Sequence, residues 1–374
     1  MSPPIQTLQR IASLTPLARV LAQIEASVAP VAAQNIKPDD AMIGATLAAD
    51  VIAPADFPQH PTALHDGWAV ASEQTSDASS YAPAILNKPP LWMNAGEPMP
   101  AGCDAILPVD ALSITNGGAE ILAGVAPGEG VIPARADAAK GMLLRKAGTK
   151  MRAVDVAVFR ALAVETISIR LPRLKILSVT RDKIEPDTNA SMIATAIRAM
   201  GAAPEILHGV TLDTVLAKID CDFMIAIGGT GTGKNDSAVK TLARLGAVDF
   251  HGFGIAPGET AALGSVSGHP VLLLPGRPDA ALAAFLLVGS KLLSQLSGLQ
   301  EIDHGTPVTL AKKITSTIGL AEVVFVRRTA DGAEPLGTSS FPLQALAQAD
   351  GWVLVPAQSE GLAAGAVVEM RSLP

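Results

Sequence analysis

Residues Phe223–Asp236 read FMIAIGGTGTGKND. The apolar run Phe223–Ile227 has the length and character of a short strand buried on both faces. Four glycines follow at once, Gly228, Gly229, Gly231 and Gly233, with Thr230 and Thr232 between them. Glycines let the backbone turn at positive φ and present exposed N–H groups to an oxyanion at the head of the next helix. The two threonines add hydroxyl donors, and Asp236 or Ser237 can cap the helix written SAVKTLARLG. In open α/β sheets ligands bind outside the carboxyl ends of the strands, so this loop is the first candidate site.

Working outward, the flanking sequence repeats the strand–loop–helix rhythm of βαβ units. Leu174–Val179 is a strand, and Asp187, Thr188 and Asn189 supply N-cap side chains to a helix. Met192, Ile193, Ala196, Ile197 and Met200 share one face of that helix, and Gly201 ends it. Val271–Leu274 is a third strand; LPGRPD then leads into a long helix from about Asp279 to Leu296. Residues 173–300 therefore read as a doubly wound α/β domain.

Upstream, Leu17, Val20, Leu21 and Ile24 line one helical face, and Val154, Val158 and Leu162 form a second apolar stripe. Between them, 51–137 is dense in Pro and Gly with short apolar stretches, the texture of short strands and tight turns. The expected fold class is α/β plus β. A helical unit (1–50 and 138–172) is interrupted by an inserted β domain (51–137), and the α/β domain (173–300) is followed by a C-terminal β domain (301–374) containing VVFVRR and GWVLVP.

Composition narrows the partners. The 374-residue chain is 49% hydrophobic and 17% charged with mean hydropathy +0.35, which excludes a disordered tail. Its 28 basic against 35 acidic residues leave a net charge of -7, unsuited to neutralising nucleic-acid phosphates. Cys103 and Cys221 form neither a disulfide framework nor a thiolate metal site, in keeping with a reducing cytoplasm. The N-terminus lacks the pattern of a signal peptide, and the apolar run Ala280–Gly289 is shorter than the ~18 residues of a span. The expectation is a soluble, cytoplasmic protein acting on small molecules, with no membrane or nucleic-acid partner.

The glycine loop also satisfies G-x-x-x-x-G-K through Gly228, Gly233 and Lys234, but Asn235 stands where Mg²⁺ binding asks for Ser or Thr. A P-loop-like nucleotide-binding protein is thus one alternative. The histidines at 65, 208, 251 and 269 lack metal-ligand spacing and read as structural or surface groups. Taken singly, the turns His65–Ala69, Asn94–Pro98 and Ala134–Asp137 read as surface turns.

Their order changes that reading. ATLAADVIAPADFPQHPTALHDGWAV, NAGEPMPAGCDAILPVD, LPRLKILSVTRDKIEPDTNASMIATAIRAMGA, IAIGGTGTGKNDSAVKTLARLGAV, FHGFGIAPGE, LLLPGRPDAALAAF and FVRRTADG follow one another along nearly the whole chain. In this sequence of motifs the chain resembles the molybdopterin molybdenumtransferase family, of the MoeA and gephyrin E-domain type. The resemblance implies insertion of molybdate into adenylylated molybdopterin with release of AMP, Mg²⁺ as a possible aid, a homodimer, and delivery to a client molybdoenzyme. Carried over by position, the family's catalytic residues fall on Asp66, Asp137, Asp182, Asp213, Asp236 and Arg327. The pterin would be held by Gly228, Gly229, Thr230, Gly231, Thr232, Gly233, Asp236, Ser237 and Ser340, and a metal by Asp66 or Asp236. Where the family carries lysines, HGFGIAPGE has Gly252, Ala256 and Glu259; Arg181, Lys183, Lys234 and Arg277 are the cations that can compensate. A non-catalytic protein that binds or delivers the pterin is the other alternative.

Overall fold

The computed structural model describes residues 9–115, 118–179, 188–234, 236–301 and 304–374. The chain forms two compact units. The larger comprises the chain up to Ala49, Ala147–Val156 and Thr166–Pro374; the smaller comprises Asp50–Lys146 and Ala157–Glu165.

The larger unit is built on a six-stranded sheet. Its elements are β1 (Arg173–Ser178), α1 (Thr188–Ala199), β2 (Ala203–Leu207), α2 (Leu212–Ala217), β3 (Phe223–Ile227), α3 (Ala238–Leu245), β4 (Ala247–His251), β5 (Ala262–Val266), β6 (His269–Leu274) and α4 (Pro278–Ala284). The strand order is β2-β1-β3-β6-β5-β4. The first four strands are mutually parallel, whereas β5 and β4 join antiparallel. Alternation along β3 sends Phe223, Ile225 and Ile227 to the face covered by α1 and α4, and Met224 and Ala226 to the face covered by α2 and α3. This two-sided burial is why β3 carries no polar residue.

The chain continues beyond α4 through a π-turn at Phe285–Gly289 into a further helix, Ser290–Ser297. At 20 residues, Pro278–Ser297 is longer than the sequence run suggests and is long and apolar enough to cross a membrane. Here 72% of its apolar window is buried inside the protein, where Phe285, Val288, Leu292 and Leu293 pack in the main core.

A second sheet in the same unit runs Thr15–Pro16, Phe253–Ala256, Ala321–Thr329, Gly351–Val355, Val367–Ser372 and Thr306–Thr309, with Gly332–Pro335 paired to Ala321–Thr329. FGIA therefore leaves the α/β sheet after β4 and pairs in parallel with Ala321–Glu322. The amphipathic helix is Leu17–Ser27, with Val20 and Ile24 buried as their spacing predicts. The second stripe is corrected in part: in the helix Ala153–Ala161, Val154 and Val158 face solvent, while Asp155, Val156 and Phe159 are buried, as is Leu162 just beyond the helix. Asp155 tolerates burial because it accepts the Arg152 amide at 2.8 Å and pairs with its guanidinium at 2.7 Å. The bulky Phe159 then has more apolar area to hide than either valine.

The smaller unit is a set of short sheets. Gly67–Val70 lies between Leu91–Met93 and Ala105–Leu107; Leu112–Thr115, Gly118–Ile121 and Ala84–Leu86 form another three-stranded sheet. Val70, Leu107 and Ile121 centre one small core, and Ala69, Met93 and Ile106 another.

Candidate functional site

Two loops and the first turn of α1 come together where the parallel strands β3 and β6 end. The turn after β6, Pro275–Pro278, lies beside the glycine loop, so that a β-carbon on Gly276 would come within 3.7 Å of the Gly228 Cα. The Asn189 side chain in the first turn of α1 donates to Gly276 O at 2.8 Å. Gly228 and Gly229 both take positive φ, 96° and 70°, a pair of successive turns that no β-carbon residue adopts readily. The Gly228 amide is still anchored to Leu274 O at 2.8 Å, so the loop begins as a continuation of the sheet.

Side chains then hold the loop from behind. Thr230, 2% exposed, bonds its hydroxyl to that of Thr260 at 2.9 Å, and His251 Nε2 lies 3.1 Å from Thr230 O. Asp236 folds back on the loop: its Oδ2 accepts the Gly233 amide at 2.8 Å, and its own amide donates to Gly233 O at 3.1 Å. The amides of Thr230, Gly231 and Thr232 meet no acceptor among the described residues, leaving three adjacent donors for an anion.

The expected cap of α3 is corrected. Ser237 occupies the N-cap position without a side-chain bond. Instead Gln9, far away in sequence, accepts the amides of Val239 and Lys240 at 3.0 and 3.2 Å. No sequence rule for caps reaches 230 residues back along the chain, and His251 likewise carried no local signal of its contact with the loop. Lys234 lies four residues before α3 begins, unlike a P-loop lysine that opens its helix.

The other candidates are spread over the two units. Asp213, in the first turn of α2, is ion-paired with Arg244 in the last turn of α3, the end of that helix opposite Asp236. Arg277 spans the buried Asp279 with contacts of 3.1 and 3.2 Å. Burial pushes the Asp279 carboxyl up, but Arg277 and the amides of Phe341 and Ala280 more than offset it and leave it below the ordinary carboxylate value. Ser340 is exposed, next to Ser339, whose amide donates to the buried Glu322 at 2.6 Å. Arg327 is already engaged by Glu334 at 2.6 Å and by Gln348 at 3.4 Å. Lys312 and Arg327 together hold the Glu334 carboxyl down to about 2.

In the smaller unit two of the quoted motifs do meet. Gly67 pairs with Met93, and Asp66 Oδ1 accepts the Ala95 amide at 2.8 Å. Beside it Glu97 accepts the Asn94 amide and side chain, bonds that hold its carboxyl below the usual range. Trp68 and Trp92 pack edge to face at 5.1 Å. Asp137 sits in a separate turn, its amide on Phe57 O at 3.1 Å. Asp182, with Arg181, Lys183 and Asn235, lies outside the described residues.

Three family descriptions match consecutive stretches of the chain. "MoeA N-terminal region (domain I and II)" covers residues 15–163, "Probable molybdopterin binding domain" 175–295, and "MoeA C-terminal region (domain IV)" 307–373. A Methanocaldococcus jannaschii protein named for molybdopterin biosynthesis is 26% identical over 362 residues, covering 87% of this chain and 89% of its own. Molybdopterin molybdenumtransferase 2 of Mycobacterium tuberculosis is 27% identical over 389 residues, covering 88% and 93%. The fold is similar to that of the MoeA protein of Pyrococcus horikoshii, with a TM-score of 0.76 at 24% identity over 97% of this chain and 100% of that one.

Proposed function

Because this chain belongs to the MoeA family and to molybdenum cofactor biosynthesis, we propose that it inserts molybdate into adenylylated molybdopterin with release of AMP. The observation that carries this reading is the row of amides at Thr230, Gly231 and Thr232 that meet no acceptor among the described residues, placed where the parallel strands β3 and β6 end. A phosphate needs such N–H donors more than it needs a full positive charge, and preorganised dipoles act without reorganisation during the reaction. Exposed Lys234 and Lys240, flanking the loop, supply positive charge on the solvent side.

Mg²⁺ fits this site only as a companion of the substrate. Among the described residues no three His, Cys, Asp or Glu side chains converge as a metal cage. Mg²⁺ commonly takes one or two carboxylates together with substrate phosphate and water, and Asp236 is the carboxylate at this loop. Asp66, in the smaller unit, is a separate candidate for a metal. Bound at Asp236, the ion would neutralise phosphate charge as AMP leaves. The remaining assignments are a cytoplasmic homodimer that passes finished cofactor to an apo-molybdoenzyme.

The test is to incubate the purified protein with adenylylated molybdopterin, molybdate and Mg²⁺. AMP release, together with product that activates an apo-molybdoenzyme, is the expected result. A second reading, a pterin carrier without turnover, is favoured by Glu259, whose carboxylate takes the Gly258 amide at 3.0 Å where the family has cationic residues nearby. Tight pterin binding with no AMP released would select the carrier; failure to bind any molybdopterin would remove both.

A further inference from the structure

We infer that Gln9 is a positioning residue for phosphate binding, setting the direction in which the glycine-loop amides point; this rests on the phosphate-docking reading above. The residue lies ahead of the family match, which begins at 15. Its side chain is nonetheless inside the protein, 4% exposed.

All four hydrogen-bonding positions of the carboxamide are used. Nε2 donates to Gly229 O at 3.0 Å and to Gly231 O at 2.8 Å, while Oε1 accepts from Val239 and Lys240 at 3.0 and 3.2 Å. Two carbonyls at one end and two amides at the other dictate which end is oxygen and which is nitrogen. One side chain thus performs two tasks: it caps α3, and it turns two loop carbonyls toward itself.

The second task is the one that concerns the ligand. In a trans peptide the carbonyl and the following N–H point in opposite directions. With Gly231 O drawn to Gln9, and Gly229 O to Gln9 and to the Ala238 amide at 3.1 Å, the Thr230 and Thr232 amides point away from that side chain. Thr230 O is held by His251 at 3.1 Å, which turns the Gly231 amide away from the histidine. Glycine flanks are free to flip such peptides, so an anchor on the carbonyl side is what keeps the donors preorganised.

The anchor is delivered by a strap. Thr15–Pro16 pairs in parallel with Phe253–Gly254, Thr15 N donates to Gly252 O at 2.9 Å, and Ile11 rests on Gly252, where a β-carbon would collide with it. His251 precedes that glycine, so strap and loop share one support.

The experiment compares full-length wild type with Q9A and Q9E. Glutamate keeps the acceptor facing α3 but loses the donors facing the loop carbonyls, which separates capping from positioning. Both variants should raise KM for adenylylated molybdopterin about tenfold, the effect of losing roughly two net hydrogen bonds, with kcat within about twofold. A residue that merely stabilised the fold would lower the amount of active enzyme and leave KM unchanged. Without ligand, amide hydrogen exchange at Gly233, whose amide is held by Asp236 at 2.8 Å, should accelerate in both variants while the β3 peptide stays protected. Unchanged exchange, or unchanged KM in Q9E, overturns the role given to Gln9. Wild type that binds no molybdopterin overturns the phosphate-docking reading itself and the inference with it.

Discussion

The buried carboxylate of Asp279 accepts the amide of Phe341 at 2.8 Å, tying the first turn of α4 to a segment 62 residues later in the chain. The same carboxylate pairs with Arg277, whose guanidinium also reaches Phe341 O at 3.5 Å. One acid therefore fastens the turn after β6 to the stretch that bears Ser339 and Ser340. Arg277, one of the four cations that the sequence offers as replacements for missing lysines, is engaged in this structural contact.

Removing that acid should be costly. Asp279→Ala leaves the Phe341 amide buried without an acceptor and is expected to lower unfolding free energy by about 2–3 kcal/mol, measured by urea denaturation. Its folded carboxyl lies below the ordinary value, so the stabilisation is present above the usual carboxylate range and is lost as pH falls through the lowered value. Asp279→Ala should accordingly flatten the acid side of the stability profile; an unchanged acid limb would refute this.

Glu334 offers a titration of a single group. Lys312 and Arg327 lower its carboxyl to about 2, so the ion pairs hold through mild acid and are lost only as pH falls from the ordinary value of 4.5 toward 2. Arg327→Ala should raise the Glu334 midpoint, read by carboxyl NMR, and added salt should raise it in wild type. A midpoint indifferent to both changes would mean that Arg327 is free for other partners.

Thr230→Val keeps the shape of a buried side chain but removes the hydroxyl that meets Thr260 at 2.9 Å. Stability should fall by about 1–2 kcal/mol, and molybdopterin affinity should weaken because the loop loses one of its supports. Calorimetry on the folded variant decides the second point.

Asp236→Asn retains an acceptor for the Gly233 amide and removes the charge proposed to hold Mg²⁺ with the substrate. The Mg²⁺ concentration that half-restores AMP release should rise on the order of tenfold or more, while the melting temperature stays close to wild type. An unchanged Mg²⁺ dependence would assign Asp236 to loop geometry alone.

Much of the fold was legible because it follows from local patterns. The apolar run of β3, the Ile193–Ile197 face of α1 and the Val20–Ile24 pair each announce an element and its buried side within a few residues. The Val154–Val158 stripe misled because helical spacing alone does not say which of two apolar faces is covered; a satisfied Asp155 and a large Phe159 decided it. The glycine loop was legible as a loop, whereas Gln9 and His251 were not legible as its supports. Their contacts cross 230 and 21 residues, and nothing in their own neighbourhoods marks them.

By itself, then, the order of amino acids determined the strand–loop–helix units, the glycines that permit positive φ and the succession of motifs shared with the MoeA family, since each depends on nearest neighbours along the chain. Only the tertiary structure decided which carbonyls of the loop Gln9 and His251 hold, where Arg277 spends its charge and what caps α3. Hydrogen bonds are chosen among groups that meet in space, and folding brings Gln9, Thr230, His251 and Asp279 to their partners from positions no local pattern connects.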